Sequence, residues 1–365
     1  MGTANRLKLG FFGSNCSSGR YVTRVPERWS GGWDDNVRLA KMLDEAGIDF
    51  LLPIGRWKGY GGETDYQGST FETITWASGL LAQTQRIVIF GTVHAPLFPP
   101  LIAAKQIVTA DHMGHGRFGL NIVCGWNEGE FDMFGVTPGD HAARYRQGQE
   151  WLDVLKLAWT RDDFDFKGEF FDMKGVRAKP KPYGDTLPLI MNAGSSGDGR
   201  AFALRNCDAW FTSVRLPSMH QADLGEASKA VLAAKAEANA DGRDLDVYTI
   251  GVVVCRPTRA EAEAYHRHVT VDEADWSAVD SIIAMKGLQN RPPEELERFR
   301  KSYANGNSGL PLIGDADDVA AALANISAAG FAGIGVSLVN YADEFPYFRD
   351  EVLPRLERLG LRQPR

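Results

Sequence analysis

The residues able to do chemistry in this chain collect where apolar runs end. With those runs taken as strands, their C-terminal ends hold Ser14 and Asn15, Gly55 and Arg56, Val93 and His94, Asn121 through Trp126, Gly194 to Ser196, Thr212 and Ser213, Arg256, and Asn340. Polar groups and glycines converge there. The run NAGSSGDG at 192–199 sets a Gly, two Ser and another Gly where a strand gives way to a helix. Free backbone N–H groups and hydroxyls at such a point suit a phosphate, and they equally suit an ordinary capped helix start.

Other patterns lead elsewhere. GHGRFG at 114–119 satisfies the glycine spacing of a dinucleotide site, but it follows a helix and precedes a strand. The fingerprint works only where a strand opens a helix, so these glycines read as a helix stop and turn, and the chain shows no nicotinamide-binding module. His112 with His115, and His266 with His268, lack a nearby carboxylate or third ligand in a recognisable arrangement, so no metal site is expected. Neither a G-x-S-x-G elbow nor a P-loop lysine motif occurs. Cys16, Cys124, Cys207 and Cys255 are far apart without C-x-x-C spacing and read as small core hydrophobes.

The elements that must position the strand-end residues alternate. Strands are expected at 7–14, 48–54, 86–93, 117–124, 187–194, 208–213, 247–255 and 333–341. Helices are expected at 34–47, within 69–84, through 99–113, near 141–159, from Ser195, at 221–240 and within 343–360. The strands are apolar throughout rather than alternating, the sign of strands covered on both faces. Eight strands with a closing helix fit a single α/β domain, a (β/α)₈ TIM barrel over 1–365, with a doubly wound open sheet as the competitor. Segments 55–68, 160–186 and 267–312 are insertions, and the last is expected to include a mobile lid over the barrel mouth or to be a surface excursion.

Composition bounds the rest. The chain has 365 residues, 44% hydrophobic and 24% charged, with a net charge of −7. A soluble protein with a large core fits, and with basic residues interspersed among acids no nucleic-acid partner is expected. No stretch approaches the roughly 20 consecutive apolar residues of a membrane span, and MGTANRLKLGFFGS lacks a signal-peptide apolar region, so no membrane association and a cytoplasmic location are expected.

The blocks DFLLPIGRWKGYGG, GRFGLNIVCGWNEGEFDMFGV, HAARYRQGQEWLDVLKLAW, FDFKGEFFDMKG, KPKP and NAGSSGDGRAFA, in that order, cover most of the chain. In them it resembles the bacterial-luciferase-like flavin-dependent monooxygenases, especially the branch with pyrimidine oxygenase and dimethylsulfone monooxygenase. The resemblance implies an FMN site with Gly55, Arg56 and Asn121 near the ring, Glu130 from the loop beyond, and Arg144, Tyr145, Ser195 and Ser196 at the phosphate. An arginine, a tyrosine hydroxyl and a helix N-terminus complement a dianion.

It further implies that reduced FMN, supplied by a separate NAD(P)H flavin reductase, reacts with molecular oxygen to oxidise a small organic substrate such as a sulfone, sulfonate, amide or pyrimidine-like heterocycle. Asn121 and His94 are the candidates for stabilising the oxygenating species, with Trp126, Trp57 and Phe98 as an apolar wall. A homo-oligomer, dimer or tetramer, is expected by the same resemblance. Three elements depart from it: Arg56 stands where pyrimidine oxygenase has a lysine, HAPLFPP at 94–100 replaces a threonine-rich version, and ERWSGGW at 27–33 is variable. Arg and Lys differ in geometry, so pyrimidine is not carried over as substrate. The rival readings are a deazaflavin-dependent oxidoreductase on the same barrel and a non-catalytic flavin-binding protein.

Overall fold

A computed structural model describes residues 3–137, 139–214 and 224–364. In chain order the first half runs β1 (Lys8–Phe12), α1 (Trp33–Ala46), β2 (Phe50–Leu52), α2 (Thr73–Leu81), β3 (Val88–His94), α3 (Pro100–Met113), β4 (Phe118–Val123), α4 (Glu128–Met133) and α5 (His141–Thr160). An antiparallel hairpin, β5 (Asp163–Lys167) and β6 (Asp172–Arg177), precedes β7 (Leu189–Asn192), α6 (Gly197–Asn206), β8 (Ala209–Phe211), α7 (Leu224–Ala240) and β9 (Asp246–Cys255). The chain continues through α8 (Arg259–Arg267), α9 (Trp276–Met285), α10 (Pro293–Ala304), β10 (Leu310–Gly314), α11 (Ala316–Ala328), β11 (Gly333–Ser337), α12 (Tyr341–Tyr347) and α13 (Leu353–Arg358).

Strands β1, β2, β3, β4, β7, β8, β9 and β11 pair in parallel around a closed ring, sealed where β8 meets β9 and β11 meets β1. This is the eight-stranded barrel expected from the apolar runs, and the open sheet is excluded. Gly251 and Val252 of β9 pair with both β10 and β11, so those two strands occupy opposite edges. β10 thus takes over the edge that β8 holds only as far as Tyr248.

The pleat sorts side chains by alternation. Leu9, Phe11, Leu51, Ile89, Val93, Leu120 and Ile122 point outward into the main core beneath the helices. Phe50, Leu52, Phe90, Met191, Phe211 and Tyr248 fill the interior. Such rings fit only because neighbouring inward positions are glycine: a Cβ on Gly10 would lie 2.2 Å from the Phe50 ring, and one on Gly119 would lie 2.4 Å from Phe90.

Several elements escape the sequence reading. Segment 160–186 holds the β5–β6 hairpin, and short α4 sits in the loop after β4. Segment 267–312 contains α9, α10 and a π-helical turn over His268–Asp272, while α8 and α11 flank it. Residues 221–223 of the expected Ala-rich helix lie outside the described residues, and α7 is described from Leu224. Among the described residues no helix is long and apolar enough to cross a membrane.

The 55–68 segment and the 267–312 segment pack on each other through Tyr60, Tyr66, Ala278, Val279, Ile282 and Tyr303. Asp275, fully buried, caps α9 by accepting from Ala278 N at 3.0 Å and also accepts from Thr64 N and Oγ1, each at 2.8 Å. Burial alone would raise its carboxyl, but these hydrogen bonds and that from Ser277 outweigh it and hold the group below its usual range.

Gly10→Ala tests the interior packing. Overpacking beside Phe50 is expected to cost about 2 kcal/mol, read as a lower urea midpoint with unchanged slope. An unchanged midpoint would show that the interior has slack.

Candidate active site

Register carries polar residues to the top of the same inward rows. On β3 the inward series is Val88, Phe90, Thr92 and His94, and on β4 it runs from Gly119 through Asn121, which pairs with Thr92. Asn121 Nδ2 donates to Thr92 Oγ1 at 3.1 Å, and Thr92 Oγ1 donates to Pro53 O at 2.7 Å. The other amide atom, Asn121 Oδ1, is buried with no partner among the described residues. A buried acceptor left unpaired is costly, so it marks a place where a ligand donor fits.

Loops above this floor are fastened by the same kind of side chain. Asn15 Nδ2 donates to Ile54 O at 2.9 Å and Asn15 Oδ1 accepts from Ile54 N at 2.8 Å, fixing the turn into Gly55 and Arg56. A Cβ on Gly55 would lie 2.9 Å from both His94 Cε1 and Thr92 Cγ2, so only glycine lets that backbone rest on the imidazole. Arg56 and Glu130 form an ion pair at 3.3 Å with both side chains nearly excluded from solvent. Glu130 also accepts from Trp57 N at 2.9 Å, and Arg56 Nη2 donates to the Tyr60 hydroxyl at 2.8 Å. The Arg56 guanidinium stacks on Tyr60 at 4.6 Å and faces Trp126 at 5.3 Å, and its Nε has no hydrogen-bond partner among the described residues. Removing one partner of such a buried pair typically costs roughly 3–5 kcal/mol.

His94 is buried beside this pair. Burial pushes its imidazole down from 6.5 to about 4, Arg56 adds to the depression and Glu130 opposes it. The ring is therefore neutral at pH 7 and offers one donor and one acceptor.

The second group of residues lies at the start of α5 and α6. Ser196 is the N-cap of α6, its hydroxyl accepting from Gly199 N at 3.1 Å. The Tyr145 and Ser196 hydroxyls share a hydrogen bond, and burial raises the Tyr145 phenol despite it. A Cβ on Gly199 would lie 2.5 Å from the Tyr145 hydroxyl, so the bare first turn of α6 is what admits it. Arg144 Nη1 donates to Gly139 O at 3.0 Å while its buried Nε has no partner among the described residues. Ser195 is exposed beside this cradle. Asp198, in the same turn, is drawn aside by His141 at 2.8 Å. With unsatisfied helix N–H groups, the arrangement suits an anion.

Cys124 joins the two groups. It follows β4 three residues after Asn121, and burial pushes its thiol up to about 12, an effect that nearby Arg144 opposes. Gly55, Arg56, His94, Asn121, Trp126 and Glu130 thus meet above β2 to β4, with Arg144, Tyr145, Ser195 and Ser196 beyond Cys124.

Trp57 and Trp126 stand at the rim, 37% and 41% exposed, and Trp57 packs against Phe98 and Phe134 with centroids 6.2 and 5.0 Å away. His112 and His115 lie at the far end of α3, both edge-on to Tyr183. Among the described residues no three His, Cys, Asp or Glu gather as a metal site. All four cysteines are free and buried.

The sequence reading passed over Tyr60, Thr92, Arg20, Asn127 and Lys286. Arg20 donates to Gly306 O at 2.9 Å and Asn307 O at 2.8 Å, tying the insertion to the barrel. Asn127 is buried with neither amide atom paired among the described residues. Tyr60, Thr92 and Lys286 all lie inside segments already singled out, but no residue pattern there marks any of the three individually.

A closed parallel barrel whose polar groups converge above the strand C-termini is the architecture of an α/β-barrel enzyme. The model of the luciferase-like monooxygenase family matches residues 7–333, and the chain belongs to that family. It is 30% identical over 361 residues to the FMNH(2)-dependent dimethylsulfone monooxygenase of Pseudomonas fluorescens, covering 97% of this chain and 95% of the relative. It is 28% identical over 354 residues to the pyrimidine monooxygenase RutA of Acinetobacter baylyi, covering 95% and 94%. The crystal structure of DmoA from Hyphomicrobium sulfonivorans matches with a TM-score of 0.85 over 98% of this chain and 89% of that one, at 18% identity, a likeness of fold.

The buried imidazole yields a pH test. The folded state takes up the His94 proton less readily than the unfolded chain, so stability present above the ordinary value of 6.5 is lost as pH falls toward 4. Between pH 7 and 5 the protein is expected to lose about 2 kcal/mol more than His94→Gln, measured by urea unfolding. Equal acid losses would contradict a buried neutral imidazole.

Proposed function

We propose that the chain is the oxygenase component of a two-component flavin-dependent monooxygenase, using reduced FMN from a separate NAD(P)H flavin reductase and molecular oxygen to oxygenate or cleave a small organic substrate. The observation that carries this reading is the pair of poles at the barrel mouth. The Arg144, Tyr145, Ser195 and Ser196 cradle between the starts of α5 and α6 suits a phosphate, and the floor of Asn121 and His94 suits the edge of a polar ring. The unpaired Arg144 Nε and Asn121 Oδ1 each await a partner of the matching kind, an anion for the first and an N–H for the second. The family and the FMNH(2)-dependent relative point the same way.

In this reading Gly55 and Asn121 hold the ring, Glu130 keeps Arg56 in place beside it, and neutral His94 orients one hydrogen bond without bringing charge. FMN itself, when bound, supplies the electrons that activate oxygen. The rim aromatics Trp57, Trp126 and Phe98 shield the site from bulk water. The α9–α10 insertion, docked on the 55–68 loop, closes over the mouth as a lid.

Oxygen uptake tests the assignment. Protein with NADH and FMN alone is expected to consume no oxygen, and a flavin reductase together with a panel of sulfones, sulfonates, amides and pyrimidines is expected to start turnover. Rapid NADH oxidation by the chain alone, or flavin binding without turnover across the panel, would overturn it.

A further inference from the structure

Lys286 stands at the mouth without a role in the reading above. It is the C-cap of α9, and its ammonium lies 5.2 Å from the ring of Trp126 and 5.6 Å from that of Tyr303. Trp126 belongs to the loop leaving β4, so the side chain reaches from the insertion across to the barrel. Its anchor is firm, because α9 is held by Asp275 and by the apolar cluster with Tyr60 and Tyr66.

A helix C-terminus favours a cation, which accounts for a lysine at this position. It does not account for the direction of the side chain. Among the described residues no carboxylate forms an ion pair with Lys286, and the charged groups that bear on it are the cations Arg56 and Arg20. Those two are already engaged, Arg56 by Glu130 and Arg20 by backbone carbonyls. Partial burial of the ammonium pushes it down and the like charges of Arg56 and Arg20 add to this, while the residue as a whole keeps solvent exposure. A lysine set against two aromatic faces, among cations, in a chain of net charge −7, is arranged to meet an anion.

We infer that Lys286 binds an anionic group, a sulfonate or carboxylate, on the substrate and so sets specificity, with Trp126 packing on the carbon atoms next to that group. The inference rests on the proposed oxygenase reading and deepens it. It sets this chain apart from a preference for a neutral sulfone or pyrimidine.

The test compares 1-butanesulfonate with butyl methyl sulfone, which share a butyl chain and a tetrahedral sulfur but differ in charge. Each is titrated at fixed ionic strength into FMN-loaded protein, Lys286→Gln and Lys286→Arg, after FMN affinity has been measured for all three. The sulfonate is expected to bind at least about tenfold tighter than the sulfone, a difference of about 1.4 kcal/mol. That preference should vanish in Lys286→Gln and survive in Lys286→Arg, with FMN affinity constant within about twofold. A sulfonate bound no tighter than the sulfone, neither bound at all, or a preference surviving in Lys286→Gln would overturn the inference. So would a Lys286→Gln loss confined to FMN affinity, which would assign the lysine to the cofactor. Failure of the wild-type protein to bind FMN would sink the oxygenase reading instead, and the same ratio measured without flavin would still decide the role of Lys286.

Discussion

A closed barrel has a fixed interior, and everything above it depends on how that volume is filled. Phe50, Phe90, Phe211 and Tyr248 occupy the lower levels only because Gly10, Gly119, Gly333 and Gly335 give way to them. The pleat then dictates that the next inward residues on β3 and β4 are Thr92, His94 and Asn121. Their side chains close the packed interior and open the mouth at once. The amide of Asn121 is held by Thr92, which is held by the Pro53 carbonyl, so the floor of the site is an extension of the barrel's own hydrogen bonding.

Charge at the mouth runs against the charge of the chain. Arg20, Arg56 and Lys286 gather on one side and Arg144 on the other, while Glu130 neutralises only Arg56. Buried cations are costly unless paired or turned to use, and the barrel solves this differently at each. Arg56 has a carboxylate, a hydroxyl and two aromatic faces, Arg20 has two carbonyls, Arg144 has the Gly139 carbonyl with its Nε unpaired among the described residues, and the more exposed Lys286 lies against the rings of Trp126 and Tyr303. His94, neutral between Arg56 and Glu130, lets the floor stay polar without adding a further charge.

The barrel strands were legible because both faces of each are covered, which turns them into continuous apolar runs such as 117–124. The insertion was not, because its apolar residues make sense only against Tyr60 and Tyr66, more than two hundred positions away. The β5–β6 hairpin, with exposure alternating along β5 and only Val176 of β6 buried, offered no core signal. At the site, composition and spacing pointed to strand ends in general, and the ordered family motifs singled out Arg144, Tyr145 and Glu130. Lys286 follows an unremarkable helix and acquires meaning only from the ring of Trp126 beneath it.

The central claim is that the mouth holds a phosphorylated flavin with its phosphate on α6. Anaerobic titration of reduced FMN against reduced riboflavin, in the wild-type protein and Arg144→Ala, addresses it most directly. The account predicts FMN bound at least about tenfold tighter than riboflavin, with most of that advantage lost in Arg144→Ala while riboflavin affinity stays within about twofold. Equal affinity for the two flavins in the wild-type protein would contradict it.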